Sequence, residues 1–304
     1  MKVSGFTIIK NGNIFDYPYQ ESLHSMLPLV DELIVNIGRS DDDTAMQILS
    51  LAEKDGSGKI RCFETSWEAK SPEQNRGGAL LAEQTNTALG KCTGDWCIYL
   101  QADEVLHEND IPALKQSLEQ NLKLPEVEGL LFDYVHFYGS YDIVQFSRSA
   151  YRREVRAIKK NASPLSVGDA QGFRHISGRK LSVARTEARV FHYGWVRHPE
   201  AMRSKTFFLD QLYHGPRNDH ADSGKKPHTG DNYRYKRFWG LQKFLGTHPA
   251  VMSKRISAVK WKWDYDTSKF VWTFGDIKKA ILDIFEKLTG YRLFEYRNYK
   301  LIRK

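Results

Sequence analysis

The residues with the most evident chemistry stand where apolar runs end. Trp96-Cys97-Ile98-Tyr99-Leu100 is followed at once by Gln101-Ala102-Asp103-Glu104, so two carboxylates lie where a buried strand emerges. An unpaired carboxylate beside apolar neighbours is costly. A hard divalent cation such as Mn²⁺ or Mg²⁺ relieves that cost by taking oxygen ligands and bridging them to substrate phosphates. A helix cap or a surface turn would use an acidic pair at the same place. Leu33-Ile34-Val35-Asn36-Ile37 runs in the same manner toward a second polar cluster, Ser40-Asp41-Asp42-Asp43-Thr44. A third group, Phe191-His192-Tyr193-Gly194-Trp195-Val196-Arg197, sets one histidine among aromatic rings. That pattern is usual for a hydrogen-bonded core histidine.

Regular elements must bring these groups together. Phe6 to Lys10 is a short apolar run closed by Asn11-Gly12-Asn13, which predicts a first strand and a tight turn. Leu23, Met26, Leu27 and Val30 fall at i, i+3, i+4 and i+7 and predict a helix over about 19–30. Further strands are predicted at 33–37, 60–63, 96–100 and 130–138. Ser71-Pro72-Glu73-Gln74 has the cap, N1 proline and N3 glutamine of a helix running to about Gly90, and Ile111, Leu114, Leu118 and Leu122 mark another. Strands alternating with helices at this spacing predict an α/β fold, with a mostly parallel sheet covered on both faces. Ligands of such sheets bind beyond the carboxyl ends of the strands. The clusters at 40–44 and 101–104 therefore converge on one crevice. No GxGxxG follows the first strand and no GxxxxGK[ST] occurs, so the commonest dinucleotide and P-loop cradles are missing.

Composition fits this picture. The 304 residues are 41% hydrophobic, 27% charged and 12% aromatic, which excludes disordered and collagenous classes. No apolar run nears the ~18 residues of a membrane span, and residues 1–12 lack a signal peptide's basic start and apolar stretch, so a cytoplasmic location is expected. Cys62, Cys92 and Cys97 are expected to be reduced core residues, since no CxxC spacing occurs. The net charge of +8 conceals an asymmetry: residues 1–147 hold 11 basic and 23 acidic side chains, residues 148–304 hold 34 and 14. A basic half with Tyr233-Arg-Tyr-Lys-Arg-Phe-Trp239 suits nucleic acid as one reading, but that reading leaves the acidic strand-end clusters without a purpose. Residues 219–231 read as a mobile loop. Near the C-terminus, Ile277, Ala280, Ile281, Ile284, Phe285 and Leu288 make an amphipathic helical stripe with Lys278, Lys279 and Lys287 off it. Packing of the stripe on the catalytic domain and peripheral contact with the inner face of a membrane are both open, the second supported by Trp261, Trp263, Trp272 and the basic tail.

Several of these motifs, in order, resemble those of the family 2 glycosyltransferases. Asp31-Glu-Leu-Ile-Val-Asn-Ile-Gly-Arg-Ser-Asp-Asp-Asp-Thr44 is similar to the family's second strand and its Gly-Ser-x-Asp-Gly-Thr loop, with Ser40, Asp42 and Thr44 in register. Gly94-Asp-Trp-Cys-Ile-Tyr-Leu-Gln-Ala-Asp-Glu104 resembles its Gly-Asp-Trp strand leading into Asp-Ala-Asp-Glu, and Asn86 takes the place of a helical polar pair. The resemblance spans roughly residues 4–200. It implies a GT-A-type, Rossmann-like catalytic domain over 1–200, with 201–304 as a basic, aromatic-rich helical C-terminal extension. It further implies transfer of a sugar from a UDP- or GDP-type donor to a glycan or lipid-linked hydroxyl, and no nucleic-acid partner.

Carried over residue by residue, Asp103 matches the second aspartate of the DxD motif, which holds Mn²⁺ or Mg²⁺ on the donor's diphosphate. Gln101 replaces the first aspartate and Ile37 an acidic residue that contacts uracil. The resemblance puts Lys10, Asn11, Ser40, Asp42, Asn86 and Gln101 around the nucleotide sugar, makes His192 a further metal ligand and sets Arg197 against the leaving diphosphate. An inverting displacement also needs a base for the acceptor hydroxyl. Asp169, in the glycine-flanked loop Ser166-Val-Gly-Asp-Ala-Gln-Gly-Phe173, is the choice, with Asp133 and Asp142 in reserve. The plainer reading of Asp169 is a turn cap.

Overall fold

A computed structural model of the chain describes residues 1–68, 71, 76–148, 150–214, 233–236, 238–261, 263 and 272–302. The first half alternates as the sequence indicates: β1 (Val3–Ile9), α1 (Tyr19–Met26), β2 (Glu32–Gly38), α2 (Thr44–Asp55), β3 (Ile60–Thr65), α3 (Ala79–Lys91) and β4 (Trp96–Tyr99). β1, β2 and β4 are buried along their whole length, as strands of a parallel sheet covered on both faces must be. Their side chains divide by parity. Leu33, Val35, Ile37, Trp96 and Ile98 join one core layer with Leu23, Met26, Ile48 and Leu51 of α1 and α2. Phe6, Ile34, Cys97 and Tyr99 join the other with Leu80, Ala88 and Leu89 of α3. The helix at 44–55 was not predicted; Asp42 accepts from the Thr44 amide at its start and Gly56, in the left-handed conformation, ends it. The capping residues predicted at 72–74 lie outside the described residues, and α3 begins later, at Ala79.

β5 (Glu104–Leu106) follows the acidic cluster, and α4 (Ile111–Leu122) buries Ile111, Leu114 and Leu118 as the spacing predicts. Then come β6 (Gly129–Tyr138), β7 (Ser140–Gln145), β8 (Arg153–Lys159), the short pair β9 (Pro164–Val167) and β10 (Gly172–His175), and the long β11 (Leu181–Trp195). α5 (Pro199–His214), β12 (Leu241–Lys243), α6 (Ser253–Ser257), α7 (Phe274–Thr289) and β13 (Tyr299–Leu301) complete the order. Among the described residues the main sheet has eleven strands, ordered β12-β7-β6-β8-β4-β1-β2-β3, with β11 branching from β6 to pair also with β5 and β13. The β4-β1-β2-β3 portion is wholly parallel, while β8 joins it antiparallel to β4. β12 and β13, from the C-terminal hundred residues, pair with β7 and β11, so one sheet draws strands from both sides of position 200. Cys92 and Cys97 are buried and Cys62 half-buried, all three free.

The predicted α7 stripe is helical, yet Ile277, Ile281, Ile284, Phe285 and Leu288 are exposed. The stripe does not pack on the sheet. The polar face of α7 packs instead: Arg148 donates to Asp283, Glu286 and the Leu282 carbonyl, and Arg152 to Glu286.

β8 also carries a buried carboxyl, Glu154, which accepts from the Gln171 side chain through Oε1 while Oε2 finds no partner among the described residues. Burial pushes its pKa up to about 7 against the opposing pull of Arg156 and Gln171. Folding therefore favours the protonated form. The native state is most stabilised below the unfolded value near 4.5 and loses that stabilisation as pH rises toward about 7. At ~1.4 kcal/mol per unit the loss is about 3 kcal/mol by pH 8. Glu154→Gln should thus melt higher than the wild type at pH 8 and equally at pH 5. A melting difference independent of pH would contradict this assignment.

Candidate active site

Asp103 lies between β4 and β5, and its carboxylate is buried beside three side chains from later in the chain. Lys205 Nζ donates to Oδ2 at 2.9 Å, Arg197 Nη2 reaches the same oxygen at 3.5 Å, and His192 Nε2 is 3.7 Å from Oδ1. Burial alone would raise the Asp103 pKa, but Lys205, His192 and Arg197 together hold it well below the usual carboxylate range. Burial and the nearby Arg197 bring Lys205 down to about 8. Arg197, fully buried, donates to the carbonyls of Phe15 and Tyr193 and stacks on the Tyr17 ring at 4.7 Å. Its Nε has no hydrogen-bond partner among the described residues.

His192 owes its orientation to β6. In the parallel β11–β6 register it faces His136, and the two Nδ1 atoms are 2.8 Å apart. The Tyr151 carbonyl lies 2.5 Å from His136 Nε2, so that nitrogen carries the proton. Burial lowers His136 to about 3 and His192 to about 4, leaving both rings neutral. His136 Nδ1 then accepts from His192 Nδ1–H, which leaves His192 Nε2 bare and pointing at the Asp103 side. Two acceptors, Asp103 Oδ1 and His192 Nε2, thus face one another, an arrangement satisfied by a cation or a donor between them. Gly194 leaves the room: a Cβ there would collide with His192 Nε2 and come within 3.1 Å of Asp103 Oδ2.

This donor set suits a divalent ion with two protein ligands. Among the described residues no group of three or more acidic, histidine or cysteine side chains is placed to hold a metal ion, so the rest of the shell would come from a ligand and water. The pairing of Oδ2 with Lys205 leaves Oδ1 available.

Asp103 and His192 share a cleft of about 240 Å³ with Lys10, Gln101, Asp169, Lys205 and Tyr213. Asp169 is half-buried after β9; Tyr213 donates to its Oδ2 at 2.8 Å and the Gln171 amide to its Oδ1 at 3.2 Å. One helix, α5, therefore touches both carboxylates, Asp103 through Lys205 and Asp169 through Tyr213. Gly78, in the left-handed conformation at the start of α3, permits the close approach of Asp169, whose Cα would lie 2.7 Å from an added Cβ.

Other sequence candidates hold the frame. The Asn11 side chain pairs with Asp41, its amide donates to Ser40, and Asp42 accepts from the amides of Asn13 and Ile14. These residues join the β1 and β2 loops to each other and lie outside the cleft lining. Asn86 spends both ends of its amide on the Ser166 backbone and so anchors β9. Glu104 is fully buried against Arg156. Of the reserve bases, Asp133 pairs with Arg153 and Arg185.

Among the described residues, several arginines of the second half are paired with carboxylates. Arg148, Arg152, Arg156, Arg179, Arg189 and Arg255 pair with Asp283, Glu295, Glu104, Glu128, Asp110 and Asp16 respectively. Tyr235 bonds the Arg197 backbone and lies parallel to Trp261, so it packs inside. Sequence reasoning missed Lys205 and Tyr213. The signal was there in a lysine sharing a helix face with Met202, Leu209 and Leu212.

No protein-family model matches the sequence, and no curated protein does. Solved structures do. S. aureus TarS is 14% identical over 54% of this chain and 48% of that one, at a TM-score of 0.35. The mannosyltransferase PcManGT from Pyrobaculum calidifontis, in complex with GDP-Man and Mn²⁺, is 16% identical over 53% and 45%, at 0.37. Glucosyl-3-phosphoglycerate synthase from Mycobacterium tuberculosis, with Mn²⁺, UDP and phosphoglyceric acid, is 19% identical over 55% and 60%, at 0.35. The matched stretch thus spans about half the length of the first two.

Gly194→Ala tests the geometry without reference to any ligand. The methyl group should cost about 1–3 kcal/mol through its collision with the imidazole. His192→Ala in the same background should recover part of that loss, because the colliding partner is gone. Additive melting shifts in the double-mutant cycle would show that the two residues do not meet.

Proposed function

We propose that the chain transfers a sugar from a nucleoside diphosphate donor of the UDP or GDP type to a hydroxyl group, by a single displacement with inversion. The observation that carries this reading is one cleft with cationic groups around Asp103 and a separate carboxylate, Asp169, supplied from another loop. The motif resemblance at 31–44 and 94–104 supports it independently. Lys205 and Arg197 bring two positive charges to the side where a diphosphate would depart. Preorganised charge at a developing anion is a large catalytic term in a water-poor site. Asp103 and His192 would hold Mn²⁺ or Mg²⁺, which when bound would neutralise charge on the diphosphate.

In the step itself the acceptor oxygen attacks the anomeric carbon as the bond from that carbon to the phosphate oxygen breaks. The electron pair leaves with the diphosphate. Asp169 takes the hydroxyl proton; the hydrogen bonds from Tyr213 and the Gln171 amide hold its two oxygens in place. Lys10 and Gln101, also in the lining, would contact the donor. Asn11, Ser40, Asp42 and Asn86 act one step removed, by fixing the loops around it. The glycan or lipid-linked nature of the acceptor belongs to this proposal as well.

A panel of nucleotide sugars, assayed for release of the nucleoside diphosphate with Mn²⁺ or Mg²⁺ and with a chelator, tests the reading. One donor class should be consumed; consumption of none, in the presence of diverse hydroxyl acceptors, would refute it. Asp103→Asn should lower turnover by ~10² or more. Asp169→Asn should lower turnover while leaving donor affinity unchanged, and a collapse of donor affinity would assign Asp169 to the donor side.

A further inference from the structure

α7 is docked with its carboxylates inward and its large apolar residues outward, Ala280 of the stripe alone being buried. Asp276, Asp283 and Glu286 are the helix's three acidic residues. Asp276 caps the helix through Thr273 and accepts from the Trp239 amide at 3.0 Å. Asp283 accepts from Trp239 Nε1 at 2.7 Å and from Arg148 at 3.0 Å, and Glu286 is held by Arg148 and Arg152. The opposite face shows Phe274 at 88% exposure, Ile281 at 61% and Leu288 at 81%, together with Ile277, Ile284 and Phe285. Trp272 and Phe294 are exposed as well, the latter at 88%. Contiguous apolar surface of this kind marks a docking face.

Charge identifies the occupant. At ~100° per residue, Lys278 and Lys287 fall on opposite flanks of the apolar stripe, and both are exposed. The helix presents no acidic side chain outward, because all three are spent on the protein. A second copy docking face to face would bring lysine flanks together with no α7 carboxylate to receive them. An anionic lipid surface takes both features at once, apolar side chains below the headgroups and lysines among the phosphates. We infer that the exposed face of α7 lies in the interface of an anionic membrane. No helix among the described residues is long and apolar enough to cross a membrane, so the contact is peripheral. It stands whether or not the cleft transfers a sugar.

The test is sedimentation of the full chain with vesicles of phosphatidylcholine alone or with 30% phosphatidylglycerol. The chain should pellet with the anionic vesicles and at least tenfold less with the neutral ones, and raised salt should release it. Ile281→Ser with Leu288→Ser, both exposed positions, should cut binding at least tenfold with an unchanged melting temperature. Lys278→Glu with Lys287→Glu should do the same. Equal pelleting with both vesicle types, pelleting with neither, or a dimer in analytical ultracentrifugation that these substitutions dissociate would overturn the inference.

Discussion

The architecture of the cleft rests on one fully buried ion pair. Arg156 of β8 meets Glu104 at the start of β5 through two parallel bonds, Nη2 to Oε1 at 2.8 Å and Nε to Oε2 at 2.9 Å. Tyr134 of β6 donates to the same carboxylate, and the Tyr99 and Tyr134 rings flank the guanidinium at 5.4 Å. Arg156 also donates to the Gln171 carbonyl at 2.6 Å. Such a pair need not add stability over an apolar substitute, but losing one partner strands a charge and costs about 3–5 kcal/mol. What it confers is position. β5, β6, β8 and the loop carrying Asp169 are all tied to one point, and Asp103 is the residue immediately before Glu104.

From that point the charges of the cleft follow. β11 runs antiparallel to β5 and brings His192 opposite Glu104, while the Tyr193 amide bonds the Asp103 carbonyl. The chain then turns into α5, whose Lys205 returns to Asp103. Two neighbouring carboxylates thereby take different roles: Glu104 is spent on a buried arginine, whereas Asp103 keeps one oxygen toward the cleft. Around Asp103 the two cations Lys205 and Arg197 outnumber the one carboxylate.

β1, β2 and β4 were legible because they are apolar on both faces, and α1 because it keeps a 3.6-residue period, whereas α2 was hidden behind the polar cluster at 40–44. β5 and β11 were not legible, since β11 alternates charged and apolar residues and its partners come from three separate places. Asp103 and His192 stand out by residue type and the structure sets them 3.7 Å apart, but Glu104 and Asp103 look alike in sequence and are separated only by Arg156, 52 positions away from Glu104. Asn11, Ser40 and Asp42 read as ligand contacts because short polar side chains at strand ends serve equally well to join loops. The stripe of α7 was plain from its period. Its direction was not, because Arg148 and Arg152, which hold the polar face, precede the helix by well over one hundred residues.

The central claim is that the groups around Asp103 receive a diphosphate. A crystal structure of the chain with UDP or GDP and Mn²⁺ tests it most directly, since it locates the phosphates rather than inferring them from rates. The account requires phosphate oxygens within hydrogen-bonding reach of Lys205 or Arg197, with the ion on Asp103 and His192. A nucleotide lodged elsewhere, with the Asp103–Lys205 pair undisturbed and no density between Asp103 and His192, would contradict it.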